Sequence, residues 1–122
     1  MSKLTLAARY LLALMMLVFG LNKFLGFMPA PELSGQAATF MGAIASSFVW
    51  PTLGILYIAS AALLAANKGV GLATVLLAPL AYSAFMFHLT LDPANILPAG
   101  LFVALVVVVM IGNAPKYKAL LS

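Results

Sequence analysis

The sequence predicts an all-α integral membrane protein, a bundle of four transmembrane helices with both termini on the cytoplasmic side. Of its 122 residues, 66% are hydrophobic and only 7% are charged, whereas roughly a quarter of the residues in an ordinary soluble domain are charged. These residues cannot form a water-facing surface, so lipid must contact most of the protein. The length allows a single domain, residues 1–122, with four spans of about 20 residues and short connections.

The first apolar run covers about residues 4–27 and is long enough to cross a bilayer with some tilt. Arg9 lies near its start and Lys23 near its end, where long basic side chains can extend toward the headgroups. A secretory signal peptide is the competing interpretation, but the run is long and no clear cleavage site follows it. Residues 28–47 combine prolines and polar residues with a later apolar helical spacing, which predicts a loop and then a short interfacial or partly re-entrant helix.

Three further apolar runs follow. Trp50, an aromatic residue suited to the headgroup boundary, opens the second span. Residues 67–69 (NKG) predict a tight turn, Pro79 predicts a kink inside the third span, and residues 92–93 (DP) end that span. The predicted second, third and fourth spans cover about residues 48–66, 70–91 and 96–112.

Orientation follows from the basic residues. With four spans, five of the six basic residues lie on one side, which the positive-inside rule assigns to the cytoplasm. Those five are Lys3, Arg9, Lys68, Lys116 and Lys118. Three or five spans would scatter this pattern, so it independently supports four. Basic residues dispersed between apolar runs cannot follow a phosphate backbone, which excludes nucleic acid as a partner.

Four spans would bring the end of the first helix, the start of the second and the end of the third to one membrane face. Ionisable groups inside a membrane are costly enough to suggest a function. Lys23 and His88 also have structural explanations, because Lys23 can reach headgroups and His88 can be a hydrogen-bonded packing residue. Asp92 either pairs with His88 one turn away or caps the turn that follows. The candidate ligand-binding residues are Asn22, Lys23, Trp50, Tyr57, His88 and Asp92.

Several kinds of chemistry are excluded. The chain contains no cysteine, so it forms no disulfide, thiolate metal site or iron–sulfur cluster. One histidine without nearby carboxylates inside the bundle is a poor zinc site, and we expect no metal. No nucleophile, base and orienting group stand together, and no phosphate-binding loop is present, so we do not expect catalysis by this chain alone. A redox role would need a bound cofactor or a partner.

Five short segments belong together. FGLNKF closes the first span at residues 19–24, and FMG at residues 40–42 follows a proline-rich stretch. LAP at residues 77–79 precedes FHL at residues 87–89 and DP at residues 92–93. In combination, and over nearly the whole chain, these segments resemble the DoxX-like family of small bacterial membrane proteins.

The resemblance implies a four-helix bundle in the bacterial cytoplasmic membrane. Some relatives are subunits associated with thiosulfate oxidation that pass electrons to quinone, and others are linked to membrane complexes that handle oxidative stress. The polar set implied by the family corresponds to Asn22, Lys23 and His88. The sequence departs from the family at Tyr57, where an acidic residue is usual, and at Ser83, where asparagine is usual, and loss of the carboxylate weakens an ionic or proton-relay mechanism.

Three functions are compatible with these features. The first is binding of a quinone or lipid at the polar cluster in support of a membrane redox complex. The alternative is a structural accessory subunit that packs against a larger membrane complex, or a homo-oligomer. A small transporter ranks lower, because the spans show no repeated broken helices and too few polar residues to line a route through both leaflets. Membrane lipid is a partner in every case.

Overall fold

The computed structural model describes residues 2–122, and this part of the chain contains helices and no strands. Four of the helices are long and apolar enough to cross a membrane. The predicted fold class, an all-α bundle with four spans, is confirmed, and the chain is a multi-pass membrane protein. The helices are α1 (Lys3–Leu25), α2 (Gly35–Ala45), α3 (Val49–Ala66), α4 (Val70–Leu91), α5 (Ile96–Gly112) and α6 (Lys118–Leu121).

The four spans form a closed ring in the order α1, α3, α4, α5, because α1 and α4 each pack against both α3 and α5. The short helix α2 packs more lightly, against α3 and α4 at one end of the bundle. Lipid does not drive apolar helices together, so such a bundle depends on close packing and on hydrogen bonds satisfied within each helix. The fully buried apolar side chains of its core include Leu12, Met16, Leu64, Leu77 and Val109.

Helix α1 ends two residues before the predicted end of the first span. Gly26 adopts the left-handed conformation, with φ of 61°, and its N–H donates to the Asn22 carbonyl oxygen at 2.8 Å. This is a common way for a helix to end, because glycine reaches positive φ without steric cost. The chain then runs as a loop to Gly35, where the predicted interfacial helix begins as α2.

Helices α1 and α3 make the most extensive contact in the bundle, and glycine permits it. A Cβ atom on Gly20 would lie 2.8 Å from Ile58 Cγ1, 3.1 Å from Tyr57 Cβ and 3.2 Å from the Gly54 carbonyl oxygen. The first of these distances is shorter than real Cβ contacts and the other two are tight, so a side chain at residue 20 would force α3 or Ile58 to shift. Small residues allow membrane helices to approach closely and gain packing energy.

Arg9 is buried rather than extended toward the headgroups, which corrects the sequence interpretation. Its guanidinium donates to the Leu64 carbonyl oxygen in the last turn of α3, and its Cζ lies 4.4 Å from the centre of the Tyr10 ring. The last carbonyl groups of a helix lack partners within the helix and carry the negative end of its dipole. The Arg9 guanidinium of α1 supplies both a hydrogen-bond donor and a positive charge at this position. Arg9 therefore stabilises the C-terminal end of α3.

The start of α1 and the end of α5 lie at the same end of the bundle, where Gly112 packs against Thr5. The segment after α5 is held there too. The hydroxyl groups of Tyr117 and the buried Thr74 are 2.6 Å apart, and a Cβ on Gly71 would meet Lys116 Cβ at 3.7 Å. Residues 116 and 117 are therefore held against the start of α4.

We expect Gly20→Ala to destabilise the bundle by about 1–3 kcal/mol, the usual cost of overpacking a close contact. Gly42→Ala is the matched control, because a Cβ there meets nothing within 4 Å and the gain in helix propensity is the same. The measurement is reversible unfolding in mixed micelles at increasing denaturing detergent. Equal midpoints for the two variants would contradict the assignment of Gly20 to a close crossing.

Candidate functional site: a cavity under α2

A cavity of about 290 Å³ lies at the end of the bundle away from the chain termini, between the four spans and α2. Most of its wall is apolar, and a few polar groups converge on it, as in many small-molecule sites. Its apolar lining includes Met15, Met16, Phe19, Leu53, Leu80 and Phe102. Its polar lining consists of Lys23, Trp50, Tyr57, Ser83 and His88.

Lys23 turns toward the cavity, onto two aromatic rings. Its Nζ lies 4.0 Å from the centre of the Trp50 ring and 5.3 Å from the centre of the Tyr57 ring, distances at which an ammonium group and a ring attract each other. Among residues 2–122, no carboxylate lies within 4 Å of this ammonium group. Its N–H donors are consequently not committed to an acidic side chain.

The sequence of α3 explains this geometry. Trp50 and Tyr57 are seven residues apart, two helical turns, and so lie on one face. Gly54 lies between them on that face, where a Cβ would be 2.6 Å from Phe24 Cε2 and 3.2 Å from Lys23 Cβ. The missing side chain lets the end of α1 approach α3 until Lys23 reaches both rings.

Tyr57 is buried, and its ring packs edge-on against Phe102 of α5 with 5.8 Å between the ring centres. This contact crosses the bundle and fixes the phenol in the cavity wall. Within residues 2–122, the Tyr57 hydroxyl makes no hydrogen bond to another residue. It is a donor and acceptor that a ligand in the cavity can reach.

His88 is oriented by a carboxylate. Its Nδ1 lies 3.2 Å from Asp92 Oδ2, and the Asn95 amide donates to both Asp92 oxygens at 3.1 and 3.0 Å. The Asp92 side chain makes no capping bond to the backbone of the Pro93–Asn95 turn. Of the two predicted roles of Asp92, pairing with His88 is therefore the one observed. An ionised carboxylate only accepts, so Nδ1–H donates and Nε2 is the nitrogen left for a ligand.

Helix α2 covers the cavity through residues that the sequence did not single out as a site. Phe40 stacks on Phe87 with 5.5 Å between ring centres, and Phe87 meets the His88 ring edge-on at 5.0 Å. Met41 and Ile44 complete the cover. The helical spacing of Met41 and Ile44 predicted an interfacial helix. The position of that helix over the cavity follows only from the packing of the bundle.

Four of the six candidate residues line the cavity: Lys23, Trp50, Tyr57 and His88. Asp92 acts on it through His88. Asn22 does not line it, because its Oδ1 accepts a hydrogen bond from the Met28 N–H at 2.8 Å and holds the loop after α1.

Ser83, the second departure from the family pattern, lies in the cavity wall. Its hydroxyl donates to the Pro79 carbonyl oxygen at 2.8 Å, one turn earlier in the same helix. Helix α4 continues through Pro79. Because the Ser83 proton is used inside α4, Ser83 offers a ligand less than Tyr57 does.

An apolar groove of about 460 Å³ adjoins the cavity between α1 and α5. The cavity and the groove share Met15, Phe19 and Pro98 in their linings. From these residues the groove continues along both helices toward the middle of the bundle, past Leu11 and Leu105. The cavity, with its few polar groups, and the apolar groove are thus two parts of one continuous surface.

Comparison of the chain with protein-family models, with curated proteins and with solved structures gave no match. The resemblance to DoxX-like proteins stays a prediction from the sequence. Within residues 2–122, no three His, Cys, Asp or Glu side chains are grouped so that they could hold a metal ion. The groups that the cavity presents are an ammonium, an indole, a phenol and an imidazole.

We expect Asp92→Ala to abolish the preference of neutral His88 for a proton on Nδ1, because that preference depends on the carboxylate as acceptor. His88 is the only histidine, so one pair of imidazole ¹⁵N resonances reports the tautomer. Glu32→Ala is the control, since it removes the only other acidic side chain, which lies in an exposed loop. Unchanged ¹⁵N shifts in Asp92→Ala would show that Asp92 does not orient the ring.

Proposed function

We propose that this protein is a DoxX-like component of the bacterial cytoplasmic membrane that binds a quinone under α2 and so supports a membrane redox complex. The observation that carries the proposal is the junction of a small cavity that holds a few converging polar groups with a wholly apolar groove. A quinone has the same two parts, a ring with two carbonyl oxygens and a long apolar tail.

The cavity suits the head ring. Its volume of about 290 Å³ is at the lower end of ligand pockets, enough for one ring without its tail. Quinone carbonyl oxygens need donors, and the Tyr57 hydroxyl and the Lys23 ammonium supply them. Nε2 of His88 donates when the imidazole is protonated and accepts from a quinol hydroxyl when it is neutral.

The groove suits the tail. It is lined by aliphatic and aromatic residues of α1 and α5, two neighbours in the ring of spans. Leu14 and Leu101 of the lining are also exposed on the outer surface of the bundle, where the surrounding medium is lipid. A tail in the groove would therefore pass from the cavity into the bilayer without crossing a polar surface.

A neutral ring suits this site better than an anionic phosphate headgroup. The end of the bundle that holds the cavity carries Glu32 and Asp92 against the single positive charge of Lys23. With His88 neutral, its formal charge is negative, which disfavours a further anion. Lys23, already placed on two rings, then donates a hydrogen bond to a quinone carbonyl oxygen.

The residues of this chain bind and orient the quinone, and electrons would come from a partner complex. Quinone binding is compatible with an accessory role in that complex. A chain that packs against a redox complex while holding its quinone fulfils both functions that the sequence suggests. A chain that only packs would leave the cavity without a ligand.

The test titrates a short-tailed benzoquinone into the purified full-length protein in lipid nanodiscs and follows the fluorescence of Trp50. Trp50 is the only tryptophan and lines the cavity, so a bound quinone should quench it saturably. We expect Tyr57→Phe to weaken binding about fivefold, the value of one neutral hydrogen bond of roughly 1 kcal/mol. Lys23→Met should weaken it about tenfold or more, because hydrogen bonds to charged groups are stronger.

Lys68→Met is the matched control, since it removes a lysine from the opposite end of the bundle and should leave quenching unchanged. Linear, non-saturable quenching, or equal affinity in all variants, would overturn quinone binding at this cavity. Native mass spectrometry of the same samples separates the alternatives. A bound phospholipid in place of quinone would assign the cavity to lipid, and a stoichiometric partner with an empty cavity would leave the purely structural role.

A further inference from the structure

The end of the bundle opposite the cavity carries nearly all the positive charge and no acidic residue. Five of the six basic residues lie here, while both acidic side chains, Glu32 and Asp92, lie at the cavity end. Arg9 is buried against α3, which leaves four lysines at the surface. We call these four the basic face: Lys3, Lys68, Lys116 and Lys118.

The segment after α5 combines this charge with exposed apolar side chains. Leu120 is 67% exposed and Leu121 is 87% exposed, within a few residues of Lys116 and Lys118. Apolar side chains beside lysines on a short helical segment are typical of a chain that lies in the headgroup layer of a membrane. Tyr117 between them is of the type enriched at that boundary.

The fold places this segment at the required depth. The last span, with the turn before it, has 20 residues (Pro93–Gly112) and is about 30 Å long, the thickness of the hydrocarbon core. Gly112 is therefore at the edge of the core. The bond between Tyr117 and Thr74 holds the chain at residue 117 against the start of α4, so residues 118–122 begin at this end of the bundle.

We infer that the basic face binds the phosphate groups of anionic phospholipids, with residues 114–122 lying in the headgroup layer and Leu120 and Leu121 inserted at its boundary with the acyl chains. Charge complementarity decides the occupant. Residues 2–122 offer these lysines no acidic side chain at their own end, and the anions that a bilayer supplies at this depth are lipid phosphates. This inference does not depend on the quinone proposal, because the two sites lie at opposite ends of the bundle.

The test reconstitutes the full-length protein in nanodiscs of equal parts phosphatidylglycerol and phosphatidylcholine and counts retained lipids by native mass spectrometry. We expect retention of phosphatidylglycerol over phosphatidylcholine. The triple variant K68Q/K116Q/K118Q should lower that preference at least about fivefold, the value of one basic residue near an anionic leaflet. The matched variant K68R/K116R/K118R keeps the charge and should keep the preference.

A second measurement follows the apolar half of the inference. Because the chain has no cysteine, L121C carries a single spin label, whose accessibility to oxygen and to a water-soluble nickel chelate reports its depth. We expect oxygen to dominate, as it should for L101C on the lipid-facing side of α5. Dominance of the nickel chelate at residue 121 would overturn insertion of the segment.

Two results would overturn lipid binding by the basic face. One is equal retention of the two lipids by the unchanged protein. The other is a phosphatidylglycerol preference that survives in the glutamine variant. A stoichiometric acidic protein that is retained in place of lipid, and lost with the lysines, would assign the face to that protein instead.

Discussion

The close crossing of α1 and α3 is the constraint on which the rest of the structure depends. In lipid, apolar side chains gain nothing by leaving their surroundings for one another, so the spans associate where surfaces fit. At Gly20, residues of α3 occupy the space that a side chain would need, and at Gly54 the Phe24 ring of α1 does the same. The same approach carries Lys23 onto Trp50 and Tyr57. Packing and the chemistry of the cavity thus have one origin.

The charged side chains at the two ends of the bundle have different surroundings. At one end Arg9 is buried and donates to helix carbonyl groups, and the lysines are exposed. At the other end Lys23 lies against the rings of Trp50 and Tyr57. His88 is bound by the Asp92 carboxylate, which accepts a hydrogen bond from Asn95. At the second end the charged group of Lys23 and the ring of His88 border the cavity. The polar groups of the cavity are therefore ordered before any ligand enters, which lowers the entropic cost of binding.

The sequence predicts the fold well because composition and turn residues determine it. Long apolar runs set the spans, and Asn67, Gly69 and Pro93 interrupt them where the helices end. The site is predicted less completely. Topology brings Lys23, Trp50, Tyr57 and His88 to one end, but rotation of each helix about its axis decides which side chains face inward, and spans that are apolar on every side carry little signal of that rotation.

Arg9 and Asn22 illustrate the limit. Both are polar residues near a helix end, and their positions along the first span led to the prediction of a surface role for Arg9 and a site role for Asn22. Their actual partners are the carbonyl groups of α3 for Arg9 and the loop N–H of Met28 for Asn22. Such partners depend on where a different part of the chain ends, which no local pattern records.

The separation of charge also bears on how the chain enters its membrane. If the end with the chain termini stays on the side of synthesis, only Lys23, Glu32 and Asp92 must be carried across, together with His88. The inverted arrangement would carry five positive charges across instead. Against a potential that is negative inside, each of these costs about 2.3 kcal/mol per 100 mV. The charge distribution therefore makes the two orientations unequal during insertion, before any contact between helices has formed.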